Sequence, residues 1–177
     1  MYTLNIKSEK APEKWILWGI PALFTAGSAT HFIYNALGKN PVVGALAPVN
    51  ESVWEHTKMV YVPTLAWWGA YWLKKRKKLP ARKWFGAALA ALVTAIWVIP
   101  TGFYLYTGCV GRHFLIADIS LLLLANALGQ FMGKHIYKHS KKGIPLAISI
   151  GAMILIGLLY ALLTFFPLRL PLFISGV

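Results

Sequence analysis

Seven ionisable side chains stand out in an otherwise apolar chain: His31, Glu51, Glu55, His56, Lys58, His113 and Asp118. The whole sequence holds only five acids and five histidines. Glu9 and Glu13 lie in the polar N-terminal segment, and His135 and His139 lie among lysines. The remaining three acids and three histidines border long apolar runs. Imidazole nitrogen and carboxylate oxygen together suit Zn²⁺ or a related divalent ion. His31, His56 and His113 are the candidate metal ligands, with Asp118 as a further ligand or as a partner of one. Glu55 or Glu51 would then act as general base toward the attacking water.

Helical spacing gives these groups directions. Glu51 and Glu55, at i and i+4, would share a face, with Lys58 on nearly the same stripe. His56 would point about 100° away from Glu55. His31 and Asn35 also share a face, whereas His113 and Asp118, five apart, meet only loosely. Asn35, Asn50, Lys58 and Tyr104 are the supporting polar residues. Simpler roles compete for several of them. Asn50 or Ser52 can cap a helix, and Ser52-x-x-Glu55 matches a capping box. Glu51 suits the positive end of a helix dipole, and Glu55 with Lys58 can form a local ion pair.

The elements that must carry these residues are membrane helices. The chain is 58% hydrophobic, with mean hydropathy +0.58 and 13% charged residues, against roughly 25% charged in a soluble domain. Its apolar runs approach the roughly 20 residues that a helix needs to cross a bilayer. They predict an all-α integral membrane protein, one domain over residues 1–177, with five spans at about 15–37, 51–73, 83–107, 114–133 and 144–166. Span 1 reads as a retained helix rather than a signal peptide cleaved near AGSA (26–29), because apolar residues continue to Leu37. Prolines 21, 63 and 100 fall inside spans and can kink them.

The net charge of +13 is concentrated in short stretches, seven basic residues in KKRKKLPARK (74–83) and four in GKHIYKHSKKG (133–143). That distribution argues against a nucleic-acid partner. It fits a positive-inside bias, with lysines available to anionic lipid headgroups. Both stretches would be cytoplasmic, with Lys7, Lys10 and Lys14 on the same side. The N-terminus is then cytoplasmic and the C-terminus extracytoplasmic, in a multi-pass protein of the cell membrane. The outer segments hold only Lys39, Arg112 and Arg169.

On this topology the six acids and histidines converge on the outer side. Residues 59–73 alone would make a helix of about 22 Å, short of a hydrocarbon core of roughly 30 Å. Span 2 therefore needs most of the ESVWEHTK turns, and Asp118 would lie more than one turn into span 4. Charges at such depth face a protein interior or a wet cavity. His135-x-x-x-His139 has metal-pair spacing but reads as solvated residues of a lysine-rich loop. Tryptophans near span ends, such as Trp15, Trp18, Trp67, Trp68 and Trp72, read as interfacial anchors. Cys109 is the single cysteine, so no internal disulfide forms. Walker A, G-x-S-x-G, H-E-x-x-H and dinucleotide motifs are absent.

At PVNESVWEH (48–56), between the His31 helix and further apolar stretches, the chain resembles a family of small prokaryotic membrane proteins of unknown function. The resemblance covers most of the chain, and PLF (171–173) is similar to part of the family's C-terminal pattern. It implies a multi-span fold and no particular chemistry. Three functions stay open: a divalent-metal-dependent hydrolase acting on a membrane-associated substrate, a cation- or proton-coupled transporter, or a non-catalytic assembly or binding module. The inner halves of the spans offer only weaker groups such as Asn126 and Gln130, so a single chain furnishes a transport pathway incompletely, though a homodimer could supply one.

Overall fold

The computed structural model of the chain describes residues 6–175, with side chains from residue 11 onward. The side chains of Lys7 and Lys10, expected inside before span 1, lie outside the described set. Six α-helices follow one another: α1 (Ile6–Ala36), the short α2 (Pro41–Gly44), α3 (Val53–Lys75), α4 (Ala81–Val110), α5 (Leu115–His139) and α6 (Leu146–Phe165). A 3₁₀ turn at Pro171–Phe173 ends the chain, and no strand occurs among the described residues.

The five long helices run alternately up and down. Contacts between α1 and α3 pair Trp15 with Tyr71 and Trp67, and α1 meets α5 through Glu13 and Lys134. On the other side, α3 meets α6 in antiparallel register, with Tyr61 bonding to Met153 O and Tyr160 to Thr57. Close approach of α4 and α5 is set by small residues. Ala87, Ala91 and Ala95 on α4 face Gly129 and Gly133 on α5, and a Cβ at Gly129 would lie 2.6 Å from Ala91 O. Small residues at such contacts let two membrane helices pack backbone to backbone.

Among the described residues, four helices are long and apolar enough to cross a membrane: Ala11–Ala36, α4, α5 and α6. Large apolar residues coat their outer faces, including Ile116, Leu124, Leu158 and Phe165, as expected of surfaces that meet lipid. The expected span at 51–73 differs. Its helix α3 has 23 residues but falls outside this apolar set, because Glu55, His56, Thr57, Lys58 and Thr64 dilute its apolar content. Eleven of its 23 residues are buried, against three of 20 in α6. α3 packs against α1, α4 and α6, and its buried Glu55, Thr57 and Lys58 are hydrogen-bonded by protein groups.

Other boundaries shift in ways that matter for the chemistry. α3 begins at Val53, with Ser52 as an extended N-cap whose hydroxyl accepts from the Glu55 N–H. Glu51 therefore precedes the helix and does not share a face with Glu55. α5 runs to His139, so His135 and His139 belong to its final turns rather than to a loop. Asp118 lies in the first turn of α5, shallower than the expected depth. Trp68 is a buried core residue packed at a tilt against Trp84, not an interfacial anchor.

Candidate metal centre

The alternating helices bring the C-terminal ends of α1 and α4 together with the N-terminal ends of α3 and α5. A cavity of about 640 Å³ opens there. Its polar lining is Ser28, His31, Glu51, His56, His113 and Asp118, set among apolar side chains such as Phe24, Met59 and Phe103. All four residues expected as metal ligands, together with Glu51, thus line one space. Glu55, Asn35, Asn50, Lys58 and Tyr104 do not line it.

On one wall, His31, Glu51 and His56 form a compact triangle, each offering a donor atom within 4.8 Å of the others. His31 Nε2 is 3.4 Å from Glu51 Oε1, and His56 Nε2 is 3.4 Å from Glu51 Oε2. Both separations exceed the roughly 2.7–2.9 Å of a charge-assisted hydrogen bond. Each separation is of the order of one ligand–ligand edge in a tetrahedral zinc site, about 3.3–3.4 Å for bonds of roughly 2.0–2.1 Å, though the two end on different carboxylate oxygens. The two imidazole rings stack at 5.5 Å with 13° between planes.

Local folding explains why the triangle forms. His56 sits one turn into α3, and its Nδ1 lies 3.0 Å from Ser52 O. A carbonyl can only accept, so that bond places a proton on Nδ1 and leaves Nε2 as the ring nitrogen that faces Glu51. A backbone carbonyl on the far nitrogen is a familiar support for a metal-binding imidazole. Asn50 Oδ1 accepts from the Ser52 N–H, and Ser175 Oγ accepts from the Glu51 N–H. These bonds fix the short NES stretch that turns Glu51 toward the histidines. His31 Nδ1 is buried with no partner among the described residues.

Across the cavity, His113 Nδ1 lies 3.4 Å from Asp118 Oδ2. The Tyr106 hydroxyl donates to Asp118 Oδ1. Asp118 is thereby held between two partners. Tyr106 was legible only as a tyrosine near the end of span 3. Its link to Asp118 joins the end of α4 to the first turn of α5 across the 111–114 turn, which no spacing rule reveals.

Glu55 and Lys58 form a separate buried centre. Their ion pair is 2.7 Å long, with the two side chains 2% and 0% exposed. Lys58 Nζ also donates to Gly44 O at 2.7 Å and to the Thr164 hydroxyl. Glu55 Oε2 accepts from the Val49 N–H, and Thr164 Oγ1 lies 2.9 Å from Glu55 Oε1. The expected capping box is thus half formed, since Glu55 reaches back to Val49 rather than to Ser52. Every ammonium proton and both carboxylate oxygens are occupied, and the pair ties the 41–50 loop to α3 and α6.

The rings of His135 and His139 lie 4.4 Å apart, tilted by 32°, on the last turns of α5, and His139 Nδ1 bonds to His135 O. They form no group of three or more candidate ligands among the described residues.

Four membrane-length apolar helices and a His/Glu cluster at one end of the bundle are the features of a helical membrane protein with a polar site. The chain belongs to a family of unknown function, DUF6512, whose match spans residues 4–177. No curated protein and no solved structure matches it.

Proposed function

We propose that this protein is a five-span membrane hydrolase dependent on a divalent metal, zinc by preference, held by His31, Glu51 and His56. The triangle of donor atoms on the wall of an apolar cavity carries this reading. Two histidines and one carboxylate with a fourth position facing a cavity is the ligand set of catalytic rather than structural zinc. A bound metal would supply Lewis acidity and an activated water. His113, positioned by Asp118 and Tyr106, is the proton-transfer group opposite, and Glu51 serves as ligand in place of the general-base role. Glu55 stays outside the chemistry.

The fifth span is α3, shielded from lipid by its neighbours. With Lys74, Lys75, Arg82, Lys83, Lys134 and Lys138 at the opposite end of the bundle, the N-terminus is cytoplasmic and the site faces outward in the cell membrane. The basic end meets anionic headgroups.

Zinc-loaded protein in detergent should hydrolyse p-nitrophenyl acetate, a small activated ester, in a chelator-sensitive way. His113→Ala should lower kcat by about 10²–10⁴-fold at unchanged zinc content. Absence of chelator-sensitive hydrolysis by the loaded protein would overturn the hydrolase reading.

Transport rests on a different observation. Asp118, Leu122, Asn126 and Gln130 follow one another at i+4 intervals along α5, and Asn126 Oδ1 and Gln130 Oε1 are buried without partners among the described residues. A cation pathway leading down from the cavity would use those oxygens. Cation flux in proteoliposomes that is lost on Asn126→Leu and Gln130→Leu would favour it.

A further inference from the structure

The cavity is built for more than a metal and a water. Below the polar rim its walls are Phe24, Met59, Ile99, Phe103, Leu121 and Leu122, all apolar. Its volume of about 640 Å³ falls in the roughly 300–1,000 Å³ range of small-molecule sites. An apolar chamber of this size beneath two histidine–carboxylate groups asks for a ligand with a hydrolysable polar head and a hydrocarbon tail.

The route into the chamber points the same way. Phe32 on α1 and Leu115 and Ile119 on α5 line the cavity, yet they are 67%, 73% and 47% exposed. These wall residues therefore also stand at the outer surface, where an opening between the end of α1 and the start of α5 fits their exposure, beside the polar rim at Glu51 and His113, which are 64% and 57% exposed. Both helices are among the membrane-length apolar elements, and the rim is continuous with exposed Ile116 and Leu123 of α5. Lower down, the same two helices close against each other, with Gly19 beside Gln130 and Gly27 beside Leu122.

We infer that the substrate is a lipid bearing an acyl chain, which enters sideways from the bilayer between α1 and α5. Its head meets His31, Glu51 and His56 while its chain descends into the chamber. Hydrolysis then adds the elements of water across the scissile ester or amide bond, the acyl carbon taking hydroxide and the leaving group taking the proton. The inference rests on the metal-centre reading and names its substrate class.

Alkyl hydroxamates test it without knowledge of the natural lipid, because their head chelates zinc and their tail length can be varied. On zinc-loaded wild-type protein, octanohydroxamate should bind on the order of 100-fold more tightly than acetohydroxamate, each buried methylene contributing about fourfold at most. Leu115→Trp and Ile119→Trp, placed in the opening, should each abolish that chain-length advantage. Zinc content and acetohydroxamate affinity should be unchanged in both variants, a control that also shows they are folded. Equal affinities for the two hydroxamates on zinc-loaded wild type would overturn the lipid inference and leave the metal centre standing. Failure of the wild type to bind zinc would overturn both.

Discussion

At the residue scale, two groups of charged side chains one turn apart on the same segment have different roles. Glu51, at 64% side-chain exposure, lies on the cavity rim between two imidazoles. Glu55 is sealed in with Lys58. Removing one member of a buried pair strands the other charge, at a cost of about 3–5 kcal/mol. Lys58→Met should therefore destabilise the protein by about that much in reversible unfolding, and Glu55→Leu with Lys58→Met should recover a large part of it. A stable Lys58→Met protein without activity would return Glu55 to the chemistry. By contrast, Glu51→Gln should scarcely change stability yet weaken zinc binding by at least about 10–100-fold, as isothermal titration would show. The residue types and their convergence were legible from the sequence. The partition between Glu51 and Glu55 was not, because it depends on α3 starting at Val53: moving a helix start by two residues turns a shared face into two separate sites.

At the element scale, runs of apolar residues made the five long helices visible, since hydropathy and length report on lipid contact. The special status of α3 was hidden by the same logic. A helix surrounded by other helices can carry Glu55 and Lys58 only because Gly44, Val49 and Thr164 satisfy them, and those partners lie far apart in sequence. The α4–α5 contact was present in the sequence as Ala87-x-x-x-Ala91-x-x-x-Ala95 and Gly129-x-x-x-Gly133, but pairing such stripes requires knowing which helices meet. Gly129→Val should force the two backbones apart, costing about 1–3 kcal/mol and lowering the thermal midpoint. Gly151→Val, on α6 with nothing within 4 Å of the added Cβ, should leave the midpoint unchanged. Equal effects of the two would show that close α4–α5 packing does not hold the bundle.

At the scale of the whole molecule, the bundle separates its charges: lysines and arginines gather at one end, and the histidine–carboxylate groups at the other. The alternation of helix directions makes this possible, and the clustering of basic residues between apolar runs is already visible in the sequence. What joins the histidine–carboxylate end together is not. The C-terminal segment folds back so that Phe173 packs on Trp54 at 5.1 Å and Ser175 holds the Glu51 N–H, a contact across 124 residues that no local pattern announces. Exposed Cys109, at the end of α4, gives a native probe of sidedness. In intact cells a membrane-impermeant maleimide should label Cys109, whereas Lys77→Cys in a Cys109→Ser background should react only after permeabilisation. The reverse pattern would invert the proposed orientation.

In the proposed centre, three side chains from α1, the NES turn and α3 hold one metal ion. Elemental analysis of detergent-purified protein after zinc supplementation and desalting reads this directly. One zinc per chain is predicted for the wild type and for His113→Ala, with loss in the folded His31→Ala/His56→Ala double variant. A wild type without zinc, or a double variant that keeps it, would contradict the account.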